Sequence, residues 1–149
     1  MTAAVETENP GEVFVQEEIA SPSLLELRRA VHCSIERRSQ VEHLLSDFAQ
    51  VAGKLSSENK AEVRKGVGMW VLGRVEDAIR VLEPSRQSKE RSFVLGLCYL
   101  DVGRPQDALV QLKEAAEASP DDPKVKLGLL EARVKSGLFE ESEKMTGRL

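Results

Sequence analysis

An all-α fold of antiparallel helical hairpins stacked as a short α-solenoid, preceded by a long N-terminal helix or helix pair, is the class that the sequence predicts, and three observations carry it. Gly73, Gly103 and Gly137 each follow a helical apolar run and precede another, at spacings of 30 and 34 residues, within the related strings LGRVEDAI, VGRPQDAL and SGLFEESE. Apolar residues elsewhere recur at alternating steps of three and four, the period of a helix face. Aromatic residues make up only 4% of the 149, leaving a core of Leu, Val and Ala that suits stacked helices better than a sandwich of strands.

The length is that of one domain, either a compact unit or a solenoid with a tail. Residues 1–20 carry Pro10, Gly11 and several acids with little helical period, and are expected to form an acidic flexible tail. Val13, Phe14, Val15 and Ile19 are its exception, a candidate docking segment.

Ser21 and Pro22 signal a helix start, Ser as the cap and Pro at the first helical position. The segment 21–57 is then helical. Leu24, Leu27, Val31, Val41, Leu45, Phe48, Ala52 and Leu55 form one stripe, broken in the middle where the register brings Ser34 and Arg38 onto the seam. Either one helix with partners at each end or two helices meeting near Glu36 to Ser39 would answer. The gap favours packing within the chain over a coiled coil, leaving a homodimer through residues 22–55 as the alternative.

The region 59–149 divides into units of about 59–88, 89–122 and 123–149. Each reads as helix, tight turn, helix, with the glycine at the turn, where a residue of positive φ is accommodated most easily. Asp77-Ala78 and Asp107-Ala108 place an acid near the positive end of the second helix and a small residue against the first.

In the middle unit Leu95, Gly96 and Tyr99 match L-G-x-x-Y, and Ala108, Leu112, Ala115 and Pro120 match the second-helix positions of the tetratricopeptide repeat (TPR), with Ser92 in place of its Trp. The chain therefore resembles the TPR family over residues 59–149. The first unit keeps Gly66, Gly73, Ala78 and Leu82 but loses four residues near Pro84, so its second helix must stop early. The third keeps Leu129 and Gly137 but has Leu130, Arg133 and Ser142 at the Gly, Tyr and Ala positions, a divergence that a terminal unit tolerates. Two expectations follow for its far side: a polar flank at Glu140, Glu141, Glu143 and Lys144 acts as a cap, or the chain is a fragment of a longer solenoid.

The resemblance implies a protein–protein interaction module, an adaptor or chaperone-like scaffold that binds a partner in a concave groove lined by first helices. The groove positions are Lys60, Val63, Val67, Trp70 and Val71 in the first unit; Glu90, Phe93, Leu97, Leu100 and Asp101 in the second; and Lys124, Leu127, Glu131, Val134 and Lys135 in the third. TPR proteins that grip the C-terminal carboxylate of heat-shock chaperones use Lys and Asn where Val63 and Val67 stand, so no such clamp forms. An apolar groove rimmed by Lys60, Lys124 and Lys135 suits an amphipathic or apolar peptide segment of some acidic character. The competing reading is that the N-terminal helix fills the groove or packs on the first repeat, making those side chains core.

No chemistry assembles from the sequence. Gly66-Val67-Gly68 with Gly73 fits neither phosphate-loop spacing and follows no strand. His32 with Glu36 and His43 with Asp47, one turn apart, each offer two metal ligands where a site needs three or four. Cys33 and Cys98 are too few for a disulfide framework or zinc site and read as reduced, packed thiols, so no cofactor is expected. The formal charge of -4 does not suit nucleic acid. The basic pairs Arg28-Arg29 and Arg37-Arg38, with Glu26 and Glu36 nearby, read as solvated helix faces. The start of the chain has no secretory pattern, and the apolar run from Phe93 to Leu100 is too short for a bilayer, so a soluble, cytoplasmic protein without membrane insertion is expected.

Overall fold

The computed structural model describes residues 9–145, and the side chains of all of these except residues 139 and 141–145. Of the expected features, tail residues 1–8, Ser142 as the small second-helix residue, and the flank at Glu141, Glu143 and Lys144 lie outside that description. Among the described residues every regular element is a helix. The chain divides into two compact units, Met1–Arg86 and Gln87–Leu149.

The first unit opens with a short helix α1 (Pro10–Phe14), whose Asn9 cap accepts from the Gly11 amide at 2.8 Å. Val13, Phe14 and Ile19 are all buried, so residues 10–19 are packed where the sequence suggests a flexible tail. Each buried apolar side chain contributes about 1.5–3 kcal/mol. The irregular backbone between them finds donors in Arg64, described below.

Helix α2 (Ser21–Cys33) has Ala20, not Ser21, at its N-cap, and Pro22 in its first turn. The stripe then breaks at Ser34, slightly ahead of the expected 36–39. Ser34 is extended (φ -139°, ψ 119°), and its hydroxyl accepts from the Arg37 amide at 3.2 Å, starting α3 (Ile35–Ser46). A single turn α4 (Ala49–Ala52) follows. Leu24, Leu27, Val31, Val41 and Val51 are buried to 3% exposure or less. They face inward as α2, α3 and α4 pack on the next helix, while Leu45, Phe48 and Ala52 of the expected stripe are half-buried.

Helix α5 (Glu58–Val71), capped by the Ser57 hydroxyl, and α6 (Val75–Leu82) form the first hairpin. Between them Gly73 takes φ +82°, and the Arg74 amide reaches back to the Met69 carbonyl at 2.9 Å, closing the helix end with a left-handed residue. A β-carbon on Gly66 would lie 2.7 Å from Leu82, and one on Gly68 2.8 Å from Leu45, so both glycines serve helix crossings and not phosphate. Helix α6 has 8 residues against 14 in its counterpart α8, the shortening that Pro84 forecasts.

The second unit contains α7 (Lys89–Asp101), α8 (Pro105–Ala118) and α9 (Pro123–Met145). Gly103 repeats the turn of Gly73 with φ +76°. A β-carbon on Gly96 would come within 2.6 Å of Leu112, while Leu95, Cys98, Ala108, Leu112 and Ala115 are fully buried. The expected third hairpin is absent: α9 runs 23 residues straight through Gly137, which has no positive φ. The second turn is held by residues that the third position lacks. Arg104 lies over the Tyr99 ring at 4.5 Å and its Nε donates to Asp107 at 2.8 Å, whereas Arg133 and Leu138 occupy the positions that match Tyr99 and Arg104 on either side of Gly137.

Candidate functional site

The first-unit groove positions are core. Val63 is 2% exposed, and Val67, Trp70 and Val71 are fully buried. Arg28 of α2 lies over the Trp70 ring at 4.6 Å, so the N-terminal helices pack on the first hairpin and extend the stack. Lys60, the expected rim cation, donates to the Glu17 carbonyl at 2.7 Å and lies 3.5 Å from the Glu17 carboxylate. Glu17's carboxyl is held below its ordinary value by hydrogen bonding from Ser56 first, with desolvation opposing, and then by the Lys60 charge.

Arg64 was not singled out by the sequence. It is fully buried on α5, and its guanidinium donates to the main-chain carbonyls of Phe14, Gln16 (2.7 Å) and Glu17 (3.4 Å). Those donors satisfy carbonyls at the end of α1 and in the irregular backbone that follows it. The available signal was a charge standing on the helix face that also carries Val63 and Val67.

The paired ligands do not form metal sites. His32 and Glu36 fall on opposite sides of the break at Ser34, and Asp47 accepts from Gln50 at 2.9 Å. Among the described residues no group of three or more His, Cys, Asp or Glu side chains converges on one point. A cleft of about 430 Å³ opens between α1 and α3–α4, bordered by Glu12, Val15, His43, Leu44, Asp47 and Lys54. It brings together no nucleophile and base. None of the described helices is long and apolar enough to cross a membrane.

In the second unit Phe93 (3%) and Leu100 (7%) are buried, so they too are core and not an open groove wall. Leu97 is half-buried, directed toward α9, where a β-carbon on Gly128 would lie 3.7 Å from its Cδ2. Leu127 and Lys135 are exposed, the latter 3.1 Å from Glu131.

Helix α9 has two apolar faces. Val125, Gly128, Ala132 and Ser136, at steps of three, four and four, are buried as α9 packs on α8 and α7. Leu127, Leu130, Val134 and Leu138 repeat the same steps two residues later, which places them about 200° around the helix, on its opposite side. Their exposures are 59%, 57%, 55% and 65%. Two of the four, Leu127 and Val134, are expected groove positions. Leu130 and Leu138 were missed because a hairpin turning at Gly137 would have covered that side with its own second helix.

The tetratricopeptide repeat family model matches residues 99–149, from Tyr99 of α7 through the end of the chain. Over that segment the chain is similar to the tetratricopeptide-repeat family. No curated protein and no solved structure matches it. TPR units generally act as non-catalytic modules that contact other proteins through extended helical surfaces. The matched segment contains α9, the helix whose second apolar face is exposed.

Proposed function

We propose that this protein is an adaptor that holds another polypeptide on the outer face of α9, in place of a groove running across first helices. The observation that carries the reading is the continuous row Leu127, Leu130, Val134 and Leu138, all more than half exposed on one side of one helix. Singly exposed leucines are ordinary on a protein surface, but a row at helix spacing is the footprint of helix-on-helix docking. The first unit supports the same reading, since its groove positions Val63, Val67, Trp70 and Val71 are buried, with Arg28 of α2 over Trp70.

The test is capture from cell extract followed by mass spectrometry, comparing the full chain with a Leu130→Glu/Val134→Glu variant. Both positions are exposed, so circular dichroism and Tm should match the parent while specific partners disappear. Retention of the same partners by the variant would rule out α9 as the binding face.

A further inference from the structure

We infer that the occupant of the α9 face is an acidic amphipathic helix, an inference that rests on the reading of α9 as the binding face and adds to it the chemistry of the partner. The row from Leu127 to Leu138 spans about 17 Å, three turns of helix, enough for three or four anchor side chains of a partner helix lying along it. Its borders are cationic. On a helix of 3.6 residues per turn Lys126 and Arg133 fall along one edge, and Lys124 and Lys135 along the other with Glu131. All five are exposed. Glu131 lies 3.1 Å from Lys135, so between residues 124 and 135 the one acid of the border is engaged with one of its four cations; Glu140 stands beyond them on the Arg133 edge.

This local excess of positive charge stands within a chain of formal charge -4. Charge at the rim of an apolar contact selects partners and speeds encounter more than it adds affinity, and like charges across such a rim are excluded. Pairing two copies of this chain along the row would oppose one net-positive border to another. A helix with leucines on one side and glutamates beside them meets both requirements, apolar anchors for the row and anions for Lys124, Lys126 and Arg133. Leu127 and Val134 are groove positions of the third unit, and Leu130 and Leu138, which are not, widen that surface along the helix.

Two synthetic helical peptides of about 18 residues test the inference, sharing one leucine row and differing only in Glu or Lys beside it. Fluorescence anisotropy with the full-length protein should show the Glu peptide binding at least about tenfold tighter than the Lys peptide, with the difference shrinking as salt rises. Leu130→Glu should abolish binding. Lys126→Glu/Arg133→Glu should invert the preference between the peptides while leaving Tm unchanged. Equal binding of the two peptides would overturn the charge selection and leave α9 standing as a binding face. Binding of neither, with partners still captured from extract, would overturn the acidic helix alone. A dimer of the parent, seen by sedimentation and dissociated by Leu130→Glu, would make a second copy the occupant and overturn the inference as well.

Discussion

Arg64 directs its guanidinium to main-chain carbonyls at Phe14, Gln16 and Glu17; its loss would take that donor from Phe14 and Gln16, while the Glu17 carbonyl keeps Lys60. Such a group costs about 1–3 kcal/mol when left unpaired. Arg64→Met preserves most of the side-chain volume and should still lower unfolding free energy by about 2–4 kcal/mol, read by urea denaturation, with proteolytic cleavage appearing first between residues 14 and 20. Glu17 adds a pH dependence to the same contact. Its folded pKa is lowered, so its contribution is complete above the ordinary carboxyl value of about 4.3 and is lost as pH falls through the lower folded value. Amides near residues 16–18 should lose exchange protection in that acid window in the parent protein, and Glu17→Gln should abolish the pH dependence.

Three glycines of the second unit stand in three different surroundings. Gly96→Ala would press a β-carbon to 2.6 Å from the fully buried Leu112, and overpacking of that kind costs about 1–3 kcal/mol, more than the helix propensity it gains. Gly103→Ala has open space but φ +76°, at a cost of about 1–2 kcal/mol. Gly137→Ala has open space and sits inside α9, so it should stabilise by about 0.5–1 kcal/mol. Thermal melts of the three variants decide the matter: a destabilised Gly137→Ala would mean a turn at that position. The turns at Gly73 and Gly103 were legible because a left-handed residue between two apolar runs leaves a glycine in the sequence. The straight passage through Gly137 was not legible from the glycine alone. It depended on the missing partners of the turn, Arg133 where Tyr99 would be and Leu138 where Arg104 would be, in a stretch with no proline to stop the helix.

At the scale of the whole molecule, the two units use the same type of position in opposite ways, and this is what sequence periodicity could not reveal. Val63, Val67 and Trp70 share a helix face with the spacing of a binding surface and also with the spacing of a core; only the arrival of α2, α3 and α4 decides between them, and Arg28 over Trp70 marks that arrival. On α9 the buried and exposed rows have identical spacing, so the sequence defined two stripes and left open which one would be covered. A pair of like substitutions separates the cases. Val67→Glu buries an uncompensated carboxylate in the first unit and should cost about 3–5 kcal/mol, enough to unfold a marginal domain. Leu130→Glu places the same carboxylate in solvent and should leave stability within about 0.5 kcal/mol while removing the partner. Measured side by side by chemical denaturation and partner capture, Val67→Glu should lose both fold and binding, and Leu130→Glu binding alone. A Val67→Glu variant that stayed folded and lost only its partner would restore the first-unit groove as the functional surface.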